Sequence, residues 1–176
     1  MSTTYKHYFL VMGPPQHGKS TTANILSVRI QGRFGSTSSI VYEELAHELN
    51  TSVEALRRIP KEELRPELVR KGNDLCSINP SHLVEALIDR DFNIIDGVRR
   101  LRELKKTEVL FQELGVKLHK LWIFNPKGPT IQDNTEITED LADHIIINSG
   151  TLAELEAKVL NLLSTLDVTS SLKVSN

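Results

Sequence analysis

Eight residues near the N-terminus, Gly13-Pro14-Pro15-Gln16-His17-Gly18-Lys19-Ser20, match the pattern G-x-x-x-x-G-K-S/T at every fixed position. Two glycines let a backbone bend closely around a polyphosphate, with N–H groups turned inward. A helix starting at the lysine would add the positive end of its dipole. Lys19 supplies a point charge for the β- and γ-phosphates, and the Ser20 hydroxyl is a Mg²⁺ ligand. Flanking residues agree. Tyr8–Met12 is a short apolar run that suits a buried strand, and Thr21–Leu26 continues as a helix. His17 is read as a variable position of this P-loop, with no catalytic role.

A second constellation is Asn93-Ile94-Ile95-Asp96-Gly97-Val98-Arg99-Arg100. It ends an apolar strand in a carboxylate. Beside a P-loop, an acid at a strand tip faces Mg²⁺ and its waters. Arg99 and Arg100 open the next helix and can clamp a phosphate through paired guanidinium N–H groups. The alternatives stay open: Asp96 as a helix cap, and the arginines as solvated surface.

These groups need elements to position them. Apolar runs at Tyr8–Met12, Asn93–Asp96, Val116–Phe124 and Ile145–Asn148 predict strands buried on both faces. Helical patterns fall between them, at Lys19–Arg29, Ser39–Leu49, Asn79 to about Arg90, Arg99–Leu114 and Thr151 to about Leu166. Thr51-x-x-Glu54 and Thr151-x-x-Glu154 read as capping boxes, Asn79-Pro80 as a cap with proline at the first helical position, and Gly115 as a stop. Alternation of strand and helix predicts an α/β domain with a parallel sheet. The stretch 51–81 carries Pro60, Pro66 and Pro80. It reads as broken short helices, inserted either as a substrate lid or as a cover for the sheet edge. The tail from Asp167 reads as frayed.

The chain has 176 residues, 21 basic and 23 acidic groups, and a single cysteine. That length suits one domain over 1–176. Cys76 excludes an internal disulfide. No N-terminal apolar run is long enough for a signal or a span, so a cytoplasmic setting without membrane partners is expected. Near-neutral total charge hides polarity. Arg57–Lys71 holds six basic residues against three glutamates, Arg99–Lys106 holds five against one, and Asp133–Asp143 holds five acids and no base. The basic runs suit an anionic substrate or ordinary solvated helix faces. Asp133–Glu136 suits a solvated loop or a contribution to the metal or nucleotide site. Trp122 and Phe124 are expected in the core, and Cys76 as a structural or surface thiol.

The P-loop with DGVRR resembles the nucleoside monophosphate kinases. Ala142–Leu155, with Asn148-Ser149-Gly150, resembles the last strand, turn and helix of phage-type deoxynucleoside monophosphate kinases and dephospho-CoA kinases, and Glu136 fits the phage-type pattern. The resemblance implies a P-loop NTPase three-layer sandwich with a five-stranded parallel sheet in the order 2-3-1-4-5. It implies ATP and Mg²⁺, γ-phosphate transfer to a deoxynucleoside monophosphate, and a possible homodimer. By motif, Gly13, Gly18, Lys19, Ser20 and Thr21 would hold phosphates and metal, with Pro14 to His17 completing the cradle. Asp96 would act near the metal, Arg99 or Arg100 would hold the acceptor phosphate, and Asn148 and Gly150 would lie near adenine. Such kinases carry lid arginines between the last two strands, whereas Asn125–Asp143 offers only Lys127. Arg65 and Arg70 are the candidates to replace them. Kinases of 5-hydroxymethyluracil in phage DNA share these features. For that acceptor Asp96 would take a hydroxyl proton, and the basic runs would hold the DNA backbone. Dephospho-CoA kinase activity and a non-catalytic nucleotide-binding module are further alternatives.

Overall fold

The structure is a computed structural model and describes residues 5–131, 135–166 and 168. In chain order the elements are β1 (His7–Met12), α1 (Lys19–Arg29), β2 (Phe34–Ser36), α2 (Thr37–Glu48), α3 (Val53–Arg58), α4 (Lys61–Leu75), α5 (His82–Asp89), β3 (Ile94–Asp96), α6 (Leu101–Glu113), β4 (Lys117–Phe124), a single 3₁₀ turn (Glu139–Leu141), β5 (His144–Ile147) and α7 (Leu152–Thr165). The five strands form one sheet in the order β2-β3-β1-β4-β5. Every pairing is parallel.

All six residues of the central strand β1 are buried. Its side chains alternate between two cores, as the period of a strand requires. Phe9 and Val11 join Leu121, Ile123 and Ile146 beneath α1 and α7, where Leu26, Val159 and Leu163 close the layer. Tyr8, Leu10 and Met12 join Ile95 and Trp122 on the opposite face, packed by Leu83, Leu87, Leu104 and Phe111. Each such aliphatic or aromatic side chain contributes about 2 kcal/mol on burial. Trp122 is buried and Phe124 half-buried, in line with the expected core.

Several boundaries differ from the sequence reading. β2 was absent from it: Phe34-Gly35-Ser36 is too short, and too interrupted by glycine, to show a period. The cap of α3 is Ser52, whose hydroxyl accepts from the Ala55 N–H at 3.1 Å, so Thr51-x-x-Glu54 is not the box. α5 starts at His82. Asn79 instead closes a turn before it, its Oδ1 accepting from the N–H and hydroxyl of Ser81. α4 runs unbroken through Pro66. A proline removes one helical N–H, and packing can carry the helix past it. Leu64 of α4 and Leu56 of α3 bury themselves against Leu45 and Ala46 of α2 in a small third core. The Thr151 box holds as expected, with Thr151 and Glu154 bonding reciprocally. Residue 168 apart, the tail expected to fray lies outside the described residues. No described helix is long and apolar enough to cross a membrane.

Candidate active site

Strand register brings the chemistry together. Val11 of β1 stands opposite Asp96 of β3, and Asp96 stands opposite Ser36 of β2. The carboxylate therefore lies one strand away from the point where β1 gives way to the P-loop. Ligands of open α/β sheets bind at this carboxyl edge.

The loop between β1 and α1 is held in an unusual backbone shape. Gly13, Gln16 and Gly18 all have positive φ, at 134°, 63° and 97°. A Cβ at Gly13 would come within 2.2 Å of the Ile123 carbonyl oxygen, and one at Gly18 within 2.3 Å of Asn148 Nδ2. Both positions thus disfavour a side chain by conformation, and Gly13 also excludes one by its approach to the Ile123 backbone. α1 begins at Lys19 with Gly18 as its cap and no side-chain capping bond. The first N–H groups of a helix have no partner within it, which leaves them available to an anion at the loop. Lys19 Nζ donates to the Pro14 carbonyl at 2.8 Å, folding the ammonium over the loop. Ser20 and Thr21 are exposed at the helix start, while Thr22 is buried and ties its hydroxyl to the Gly18 carbonyl.

Asp96 is 8% exposed, and its Oδ1 has no hydrogen-bond partner among the described residues. Burial raises its pKa. A hydrogen bond from Ser36, then the charges of Lys19, Arg99 and Lys61, pull the other way. A buried carboxylate oxygen without a partner costs free energy unless something binds it. This oxygen and the glycine cradle are the two features that a Mg²⁺–polyphosphate ligand would complete.

The remaining arginines are differently placed. Arg100 caps α6 and reaches Glu136 and Asn73. Glu136 also accepts from the Leu101 N–H at 3.0 Å, so it serves the start of α6. Arg99 is exposed, with its charge felt at Asp96. Arg70 bonds Glu48, Glu67 and Asp74, and Arg65 bonds Glu62. Asn148 sits just past β5 and donates to the His17 carbonyl at 3.1 Å, against the loop rather than away from it. Gly150 lies in the turn before α7, against Glu154. Of Asp133–Glu136, residues 133 and 134 lie outside the described residues.

Comparison with protein-family models finds no match, and comparison with curated proteins finds none. Solved structures do match. A putative kinase from Chloroflexus aurantiacus superposes with a TM-score of 0.55 at 13% identity, covering 97% of this chain and 100% of that one. The APS kinase CysC of Mycobacterium tuberculosis, in complex with AMPPNP and APS, gives 0.52 at 12% identity over 93% and 99%. A sugar kinase from Janibacter gives 0.51 at 16% identity over 97% and 99%. The chain has the P-loop kinase fold. At these identities the likeness is one of fold, in agreement with the sheet order that the resemblance implied.

Within this fold the sequence reading overlooked four contributors. Ser36 reaches Asp96 from β2, Lys61 reaches it electrostatically from the start of α4, and Asn125 and Pro129 grip the loop through His17. The hydroxyl run Ser36–Ser39 before an apolar helix was a visible signal for the first. Lys61 had none that set it apart from its basic neighbours.

Proposed function

We propose that this protein is an ATP-dependent phosphotransferase acting on a deoxynucleoside monophosphate. The observation that carries this reading is Asp96, buried at the mouth of the P-loop with one unpartnered oxygen and three cations around it. The charges of Lys19, Arg99 and Lys61 all act at Asp96. Cations there suit two phosphate groups brought together for transfer, which repel each other in water. Gly13 to Thr21 would hold the triphosphate, and Ser20 with Asp96 would stand on the metal side. Bound ATP with Mg²⁺ would supply the transferable γ-phosphoryl group and neutralise part of its charge. Lys19 would balance the charge that builds on the transferring oxygens. Arg99, with Arg100, Arg65 and Arg70 as further candidates, would orient the acceptor. The α3–α4 segment would close over that acceptor as a lid. The products are ADP and a nucleoside diphosphate, and no proton need move to a side chain.

A second reading has its own support. Arg65, Arg70 and Arg100 already bond carboxylates in this structure. A buried carboxylate with a raised pKa and an open oxygen suits a general base for an alcohol. In that case the acceptor is a hydroxymethylated pyrimidine in DNA, and Asp96 takes the hydroxyl proton as the new ester bond forms. A phosphotransfer panel separates the two. ATP and Mg²⁺ would be offered with the four deoxynucleoside monophosphates, 5-hydroxymethyl-dUMP, dephospho-CoA, and duplex DNA with or without 5-hydroxymethyluracil. A labelled free diphosphate supports the first reading. Label confined to hydroxymethylated DNA replaces it with the second, and no ADP with any acceptor overturns both.

A further inference from the structure

His17 occupies a variable position of the P-loop, yet it is 4% exposed and both ring nitrogens are engaged. Nδ1 lies 3.0 Å from the backbone N–H of Asn125, and Nε2 lies 3.2 Å from the Pro129 carbonyl. An N–H can only donate and a carbonyl can only accept. The imidazole is therefore neutral, with its proton on Nε2. Its ring packs on Phe124, and a Cβ at Gly128 would come within 2.9 Å of Nε2. The turn after β4 is thus wrapped around this one side chain. From the other flank, the His17 carbonyl accepts from Asn148, whose own N–H bonds the Phe124 carbonyl at 2.7 Å. The exits of β4 and β5 meet at His17. The residues on either side of it, Gln16 and Gly18, both hold positive φ. A loop in that shape relaxes readily unless the surroundings over-determine it.

We propose that His17 is a positioning residue for the polyphosphate cradle, locking the P-loop to the turn at 125–129 and to Asn148. Its side chain takes no part in the chemistry, because neither nitrogen is available for it. Preorganisation of the loop's N–H groups is what it contributes, since donors already in place need not be ordered when the ligand arrives. The inference rests on the nucleotide-binding reading above.

Two variants test it, with ATP–Mg²⁺ affinity by calorimetry and amide exchange at Asn125 read on each folded protein. His17→Ala should weaken ATP about ten-fold and release the Asn125 amide to exchange. It should raise KM for ATP while leaving kcat at saturation within about two-fold. His17→Asn keeps an acceptor at the Nδ1 position and should restore affinity to within about three-fold of the parent. An alanine variant that exchanges Asn125 freely and still binds ATP as tightly as the parent overturns the proposal. So does an asparagine variant no better than alanine. Loss of this proposal alone requires that the parent protein bind ATP. A parent that binds none overturns the nucleotide reading and this one together.

Discussion

Acid should weaken this protein through one histidine pair far from the P-loop. His7 Nδ1 and His119 Nε2 are 2.9 Å apart, with their rings stacked, at the start of β1 and in the middle of β4. His119 is 8% exposed, and His144 of β5 lies 6.3 Å away, ring to ring. Burial first, then the charges of His7 and His144, press the His119 pKa from 6.5 down to about 4. A base whose folded pKa is depressed binds its proton in the unfolded chain first. Stability is then intact above pH 6.5, falls as pH drops towards 4, and is flat below that. The full span corresponds to about 3 kcal/mol, and about 2 kcal/mol of it is lost between pH 8 and pH 5. Urea unfolding followed by the fluorescence of Trp122, the sole tryptophan, would measure it as a function of pH. Exposed carboxylates add their own slope, so the decisive quantity is the difference from His119→Gln. That variant should be less stable at pH 8 but lose about 2 kcal/mol less than the parent by pH 5. Parallel pH profiles for the two proteins would refute the reasoning.

The remaining predictions concern the site. Lys19→Ala should lower kcat by a factor of about a thousand or more in whichever transfer assay shows turnover, with the fold intact by circular dichroism. Asp96→Asn should abolish turnover and raise stability at pH 7. Its folded pKa is raised, so at neutral pH the buried charge opposes folding, and denaturant titration should show the gain shrinking as pH falls through that pKa. Gly18→Ala forces a positive φ on alanine and a collision with Asn148, and should cost about 2 kcal/mol in thermal unfolding and abolish ATP binding. Arg70→Ala should change the acceptor KM less than about two-fold if its three carboxylate partners define its role, and more if it reaches substrate.

Much of this was legible in the chain, for local reasons. The P-loop and DGVRR are contiguous, so spacing alone was enough to single them out. Four of the five strands are apolar runs long enough to recognise. β2 was not, since its three residues are specified by pairing with Ile94–Asp96 and not by their own pattern. The same limit hid Ser36 and Lys61, which matter only because the fold sets them beside Asp96. Cys76, read as a structural or surface thiol, is buried, and burial first, with help from Glu103, pushes its pKa up to about 11.

Charge was the least legible property, and the reason is structural. The basic run 57–71 looks like a docking surface when counted along the chain. In the fold, Glu48 of α2 joins Arg70 and Lys71, and Glu62 joins Arg65 from the preceding turn. Each exposed pair contributes little to stability, but three of the run's six cations lie against carboxylates. At Asp96 the fold gathers charge instead. Its carboxylate feels Lys19, Arg99 and Lys61, drawn from three separate segments, and carries an oxygen without a hydrogen-bond partner among the described residues. A sequence count places the positive charge along the run 57–71, whereas in the fold Lys61 of that run acts at Asp96 together with cations from the P-loop and from the end of β3. That gathering is why the proposed reading puts a compact anion at the Asp96 corner and not a polyanion along α4.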